Sequence, residues 1–145
     1  MASVSLIVIG KSLDPTMVTR LLKLQPSQQW KKGERKSYRR KDGTVRIFNS
    51  KHKLGGWKRW PSDRQRKMEL SLQVKRWLML LTRKKKQLEE IQALGCDIFL
   101  DCCIIGEADC VSLSPATIGR MAELGLHFEA TFYSSSDKEP NQGVQ

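Results

Sequence analysis

Few residues of this 145-residue chain have the types and spacing that the reacting groups of an enzyme need. His52 stands between two lysines, and His127 stands in a segment that alternates like a strand. Each is better explained as a solvated or packed side chain than as a catalytic base. No nucleophile stands near a base in a recognisable pattern, and Gly55-Gly56 lacks the rest of a phosphate-binding loop. The sequence therefore predicts a protein that is not an enzyme.

Acidic and sulfur-bearing residues gather between positions 96 and 110. A hard cation could use the acids there, but their spacing is not that of a calcium loop. Alternation along a half-exposed strand explains Asp97 and Asp101 more simply. The cysteines show neither a zinc-type pair nor a disulfide framework, and adjacent ones point to opposite faces of a strand. We expect reduced thiols, no metal and no cofactor. The residues concerned are Asp97, Asp101, Glu107, Asp109, Cys96, Cys102, Cys103 and Cys110.

Residues suited to binding are concentrated between Lys31 and Lys67. This segment holds about fifteen basic residues against three acidic ones, and the rest of the chain is neutral to within about one charge. The formal net charge of +11 therefore arises from one quarter of the sequence. Such a concentration creates a field that attracts a polyanion or an acidic surface. The candidate partner-binding residues are Lys31, Lys32, Arg35, Tyr38, Arg39, Arg40, Lys41, Arg46, Trp57, Lys58, Arg59 and Trp60.

Two kinds of partner fit this basic segment. Cations neutralise phosphates, and exposed rings stack on bases with about 1–3 kcal/mol each, which suits single-stranded nucleic acid. Arginine and tryptophan are also frequent at protein hot spots, and a cationic surface is steered onto an acidic cleft. A solvated face with no partner stays open as a third interpretation. Trp57 and Trp60 point opposite ways in a strand, so Trp57 is as readily explained as a core residue.

The hydrophobic pattern predicts the elements that position these residues. An apolar run over 4–10 is typical of a buried strand, and Asp14-Pro15 then begins a helix that ends near Lys23. Asp42-Gly43 is a strong turn signal and predicts a hairpin over 37–49. Its first arm has cations on both faces, so we expect it at an edge or projecting into solvent.

The second half of the chain has the same kinds of signal. A short strand is predicted over 57–60, followed by a long helix over 68–94 with a break near Thr82. Strands over 98–105 and 126–133 flank a helix that begins at Ser114-Pro115 and ends at Gly125. Residues 12–24 can be laid over 112–124 with the same serine, leucine, proline and arginine positions. We expect two related strand-helix units in one sheet, although a chance likeness of two helix starts is the alternative.

These elements predict a single α+β domain over 1–133 and a disordered tail over 134–145. The domain has two layers: a mixed or antiparallel sheet packed by about three helices, with a projecting basic hairpin. No stretch approaches the roughly 20 apolar residues that span a membrane, and residues 5–10 are too short for a secretory signal. With reduced cysteines, this favours a cytoplasmic protein.

The order of landmarks along the chain resembles the bacterial domain of unknown function numbered 4279. The likeness covers almost everything before the tail, and it is carried by Leu13-Asp14-Pro15, Lys32-Gly33-Glu34, Gly56-Trp57, Leu113-Ser114-Pro115, Leu124-Gly125 and Phe132-Tyr133. The resemblance implies a component of bacterial toxin and immunity loci, with no established catalytic residues. The basic segment is heavier than the family pattern requires.

Together, the resemblance and the charge predict an immunity protein that blocks the acidic active-site cleft of a cognate toxin. Nuclease toxins present basic clefts, so a basic inhibitor fits them poorly. A cleft with essential glutamates, as in ADP-ribosyltransferases, suits Arg39, Arg40 and Arg46 better. A nucleic-acid-binding module that uses the same face is the alternative.

Overall fold

The computed structural model describes residues 2–40, 42–106 and 110–134. The strands are β1 (Ala2–Gly10), β2 (Gln28–Trp30), β3 (Arg35–Arg39), β4 (Val45–Lys51), β5 (Gly55–Arg59), β6 (Asp97–Ile105) and β7 (His127–Tyr133). The helices are α1 (Pro15–Leu22), α2 (Asp63–Arg66), α3 (Leu70–Thr82), α4 (Lys85–Ala93) and α5 (Pro115–Glu123). The predicted α+β class and the projecting hairpin are confirmed.

Five strands form one mixed sheet in the order β2-β5-β1-β6-β7, and β3 and β4 form a separate two-stranded sheet. The central strand β1 is antiparallel to both of its neighbours, β5 and β6. The outer strand β2 is antiparallel to β5, whereas β7 runs parallel to β6. Parallel neighbours need a crossover connection, and α5 provides it.

The core lies on one face of this sheet. Val4, Leu6 and Val8 alternate along β1 and are fully buried, as the period of a strand requires. Val8 pairs with Trp57 on one side and Ile98 on the other, so all three side chains point to the same face. Helices α1, α3, α4 and α5 pack their apolar residues into this cluster. Each aliphatic side chain buried there contributes roughly 1.5–3 kcal/mol.

The two predicted strand-helix units share the sheet and begin their helices alike. Asp14 accepts a hydrogen bond from the backbone N–H of Thr16 at the start of α1, and Ser114 accepts one from Thr117 at the start of α5. A proline follows each cap. The units then diverge, because β7 pairs directly with β6, whereas β5 separates β2 from β1.

The segment between β5 and β6 contains the predicted helix and one element that was not predicted. The helix is broken near Thr82, as expected, since α3 ends at Thr82 and α4 begins at Lys85. The four-residue helix α2 was not predicted; the side chains and backbones of Ser62 and Gln65 cap it reciprocally. None of the helices in the described part of the chain is long and apolar enough to cross a membrane. The predicted tail falls on residues 134–145, of which all but Ser134 lie outside the described residues.

Candidate interaction surface

The predicted hairpin is present and is longer than predicted. Strands β3 and β4 pair antiparallel. Beyond the pair of Ser37 and Ile47 the register shifts, and Arg35 then pairs with Lys51. Gly43 has a φ of 89°, a left-handed conformation that glycine adopts without steric cost. The carboxylate of Asp42 accepts hydrogen bonds from the hydroxyl and the backbone N–H of Thr44, at 2.6 and 2.9 Å, and both lower the pKa of Asp42.

The root of the hairpin is fixed to the main sheet by Trp30 and His52. Their rings stack with centroids 4.7 Å apart, and the indole N–H of Trp30 donates to the carbonyl of Leu54 at 3.1 Å. The ring of Trp30 lies directly over Gly56, where a Cβ atom would collide with it. His52 is only 7% exposed, and its backbone N–H donates to the carbonyl of Glu34 at 2.8 Å. The structure thus places His52 as a packed anchor.

One face of the hairpin carries apolar side chains next to a cation. Register pairs Arg39 with Val45 and Ser37 with Ile47, which puts all four on the same side. Val45 is 50% exposed and Ile47 is 63% exposed. We call Ser37, Arg39, Val45 and Ile47 the hairpin face. Val45 and Ile47 were not predicted as binding residues, although their alternation with Arg46 and Phe48 was a usable signal.

The opposite side of the hairpin carries Tyr38, Arg46 and Phe48. The guanidinium carbon of Arg46 lies 4.8 Å from the centroid of the Phe48 ring, which is cation–π geometry. Tyr38 is partly buried and faces Arg46 across the ladder. On this side, the guanidinium of Arg46 therefore partly covers the ring of Phe48.

Exposed cations surround both sides of the hairpin. Within the described ranges, none of them has a carboxylate oxygen within 4.0 Å, so their charge is directed at solvent. Lys41 lies outside the described residues. The exposed cations are Lys31, Lys32, Arg35, Arg39, Arg40, Arg46, Lys51 and Lys53.

The hairpin and β5 were predicted to form one basic face, but they belong to different sheets. Trp57 is fully buried in the core, and its indole N–H donates to the hydroxyl of Thr19 at 3.0 Å. It is a core residue, one of the two alternatives that the sequence left open. The guanidinium of Arg59 donates to the carbonyl of Gln25 at 2.6 Å, and Trp60 is partly buried. We therefore leave these β5 residues out of the candidate surface.

Lys58 points to the sheet face opposite the helical core. Its Nζ atom lies 3.9 Å from Oδ2 of Asp101, and the two side chains are only 15% and 11% exposed. Burial lowers the pKa of Lys58, and Asp101 partly opposes this effect. Burial also raises the pKa of Asp101, against the attraction of Lys58. Lys58 is therefore paired with Asp101 inside the protein and is not part of the exposed basic surface.

The remaining cysteine, histidine and acidic candidates that the structure describes are either packed in the fold or too far from one another to form a site. No group of three or more histidine, cysteine or acidic residues that could hold a metal ion occurs in ranges 2–40, 42–106 and 110–134. Glu107 and Asp109 lie outside those ranges. Burial raises the pKa of Cys102 to about 12, so this thiol stays protonated at neutral pH. His127 stacks on Phe99 and lies 3.6 Å from a carboxylate oxygen of Asp97.

Together the fold and the surface define a small α+β protein in which an exposed basic β-hairpin forms a second sheet beside the main one. Comparison with protein families matches residues 1–135 to the family described as Domain of unknown function (DUF4279). The chain therefore belongs to this family, as the resemblance indicated. Searches of the curated proteins and of the solved structures gave no match.

Proposed function

We propose that this chain is a cytoplasmic immunity protein that neutralises a cognate bacterial toxin without catalysis or a cofactor. The hairpin enters the acidic active-site cleft of the toxin and blocks it. The observation that carries this proposal is the hairpin face, where exposed Val45 and Ile47 lie next to Arg39. An apolar patch beside arginine, ringed by further cations, has the composition of an interface centre.

The charge around the hairpin supports an acidic partner. Cations that have no carboxylate partner among the described residues raise the rate of encounter with a negative cleft, and they disfavour basic clefts such as those of nucleases. Arg39, Arg40 and Arg46 each present a fork of donors that matches a carboxylate. A toxin cleft with essential glutamates, as in ADP-ribosyltransferases, is the partner that this chemistry fits best.

The aromatic residues favour a protein partner over single-stranded nucleic acid. Stacking on bases needs exposed rings. Trp57 is buried in the core, Trp30 is stacked on His52, and Arg46 lies over Phe48. The exposed side chains next to the cations are instead Val45 and Ile47, which have no affinity for phosphates. Nucleic acid remains the alternative occupant, and the experiment includes it.

Co-expression with the proposed toxin domain, sought first in the product of the neighbouring gene, tests the proposal. We expect the chain to restore growth of cells that express that domain, and the purified proteins to form a stable complex at about 150 mM salt. In parallel, fluorescence anisotropy measures binding to labelled single-stranded RNA and DNA at the same salt concentration. Nucleic-acid binding that survives this salt, without rescue or complex formation, would overturn the proposal.

A further inference from the structure

A small pocket lies at the end of β5 that is remote from the hairpin. It has a volume of about 110 Å³ and is bounded by the chain after β5, by α2 and by α3. Leu24, Trp77 and Leu80 supply its apolar lining, and Arg59, Gln65 and Arg76 supply its polar lining. Because the hairpin root contacts β5 at Gly56, the pocket and the hairpin are separate features.

The apolar part of the pocket is rigidly held. The indole N–H of Trp77 donates to the carbonyl of Val4 at 2.9 Å, and Trp77 is only 8% exposed. The neighbouring Gln73 accepts from the backbone N–H of Val4 at 3.0 Å and donates to the carbonyls of Ala2 and Met68. A preformed apolar surface binds a ligand without the entropy cost of ordering it.

The polar part of the pocket presents hydrogen-bond donors. The bond to Gln25 fixes the guanidinium of Arg59 through one nitrogen and leaves its other donors available. The side-chain oxygen of Gln65 accepts from the backbone of Ser62, which leaves its amide nitrogen as a donor. Within the described ranges, no carboxylate lines the pocket, and neither Arg59 nor Arg76 forms a salt bridge.

We propose that this pocket binds a small organic carboxylate with a flat apolar body. The apolar body packs on Trp77 and Leu80, and the carboxylate accepts hydrogen bonds from Arg59 and Arg76. Guanidinium groups recognise carboxylates through paired hydrogen bonds. A closed cavity of about 150 Å³ accommodates benzene, so a pocket of about 110 Å³ that opens to solvent can take most of a ring and leave its carboxylate at the mouth. This site does not depend on the proposed immunity function.

Titration of the ¹⁵N-labelled full chain with benzoate tests the pocket. The four tryptophan indole signals separate the regions of the molecule. We expect a saturable shift at Trp77 and none at Trp57, which is fully buried and does not line the pocket. Benzamide, which keeps the ring but not the charge, and acetate, which keeps the charge but not the ring, should each bind at least about tenfold more weakly.

Matched variants distinguish the site from nonspecific attraction of an anion to a basic protein. Arg76→Gln should weaken benzoate binding about tenfold or more, since it removes a charge-assisted contact. Lys75→Gln removes the same charge from an exposed neighbour that does not line the pocket, and it should leave binding unchanged. Both substitutions are at exposed positions, and the dispersion of the spectrum checks their folding. The proposal is overturned if benzoate gives no saturable shift at Trp77, if benzamide binds equally, or if both variants weaken binding alike.

Discussion

The imidazole ring of His52 stacks on the indole of Trp30, with the two ring planes 18° apart. This contact joins the end of the hairpin to the edge strand of the main sheet. The backbone N–H of Gly33 reinforces it by donating to the carbonyl of His52 at 2.9 Å. A hairpin held at its root presents its tip in a defined direction, which reduces the entropy lost on binding.

Replacing His52 by alanine should loosen the hairpin root. We expect a loss of about 1–2 kcal/mol in the free energy of unfolding, because an aromatic pair adds 0.5–1.5 kcal/mol beyond the area it buries. Amide hydrogen exchange at Gly33 should become faster. His127→Ala is the matched control, since His127 also stacks on a ring at 4.7 Å but is exposed. Equal losses in the two variants would show that the root has no special role.

Acidification should weaken the same root. Burial, followed by the charge of Lys36, lowers the pKa of His52 from its ordinary value of 6.5. The folded state therefore prefers the neutral ring. Its contribution to stability is complete above pH 6.5 and is lost as the pH falls through the lower pKa of the folded state.

Urea unfolding at neutral and acidic pH measures this effect. His52→Phe keeps a flat ring for the stack but cannot be protonated, so it should lose less stability than the wild type between about pH 7 and pH 5. If the free energy of unfolding of the phenylalanine variant falls as much as that of the wild type, the pH dependence comes from other groups.

The buried pair of Lys58 and Asp101 should titrate abnormally. Its members are separated by 43 positions, yet each affects the pKa of the other, and Glu129 raises the pKa of both. Lys58→Met should raise the pKa of Asp101 further, because it removes the opposing positive charge. Glu129→Gln should lower it. The ¹³C shift of the Asp101 carboxyl carbon reports both changes, and shifts in the reverse direction would contradict this arrangement.

Lys58→Met should also destabilise the fold at neutral pH. Removing one partner leaves a largely buried carboxylate without its counterion, at an expected cost of about 2 kcal/mol after allowance for its partial exposure. The folded-state pKa of Asp101 is raised, so protonation favours the folded state, and the cost should shrink as the pH falls through that pKa. Urea unfolding of the variant at several pH values checks the trend. A cost that grows on acidification would be inconsistent with it.

The apolar residues of the hairpin face should matter for binding and hardly at all for stability. Val45→Ser with Ile47→Ser should leave the free energy of unfolding within about 0.5 kcal/mol of the wild type, since both side chains are largely exposed. Binding of the toxin domain proposed as the partner should weaken at least about tenfold. Met79→Ser is the control, because Met79 is 65% exposed on α3, away from the hairpin. Unchanged affinity in the double variant would remove Val45 and Ile47 from the interface.

Local signals predicted most of the elements. Asp14-Pro15, Ser114-Pro115 and Asp42-Gly43 act within a few residues of the chain, and each marks the cap or turn that the structure contains. The position of β5 between β2 and β1 could not be predicted in this way. It depends on pairing between distant segments, which no local pattern encodes.

The same limit applies to the candidate surface. The hairpin was predictable because its turn and its charges are contiguous in sequence. The partial burial of Lys58 could not be predicted, because it depends on Asp101, which lies beside Lys58 only in the folded chain. Cross-strand pairing of Arg39 with Val45 and of Ser37 with Ile47 defines the hairpin face, and sequence alone did not fix that register.

Charge reversal on the hairpin tests the central claim most directly. Arg39, Arg40 and Lys41 are replaced together by glutamate, and the control replaces Arg83, Lys85 and Lys86, exposed at the junction of α3 and α4, by the same residue. The two variants have equal net charge. Affinity for the toxin domain proposed as the partner is then measured by titration calorimetry at about 150 mM salt. We predict that the hairpin variant loses at least about 100-fold in affinity and keeps the free energy of unfolding of the wild type. The affinity of the control variant should be unchanged. A hairpin variant that binds as tightly as the wild type would contradict the account.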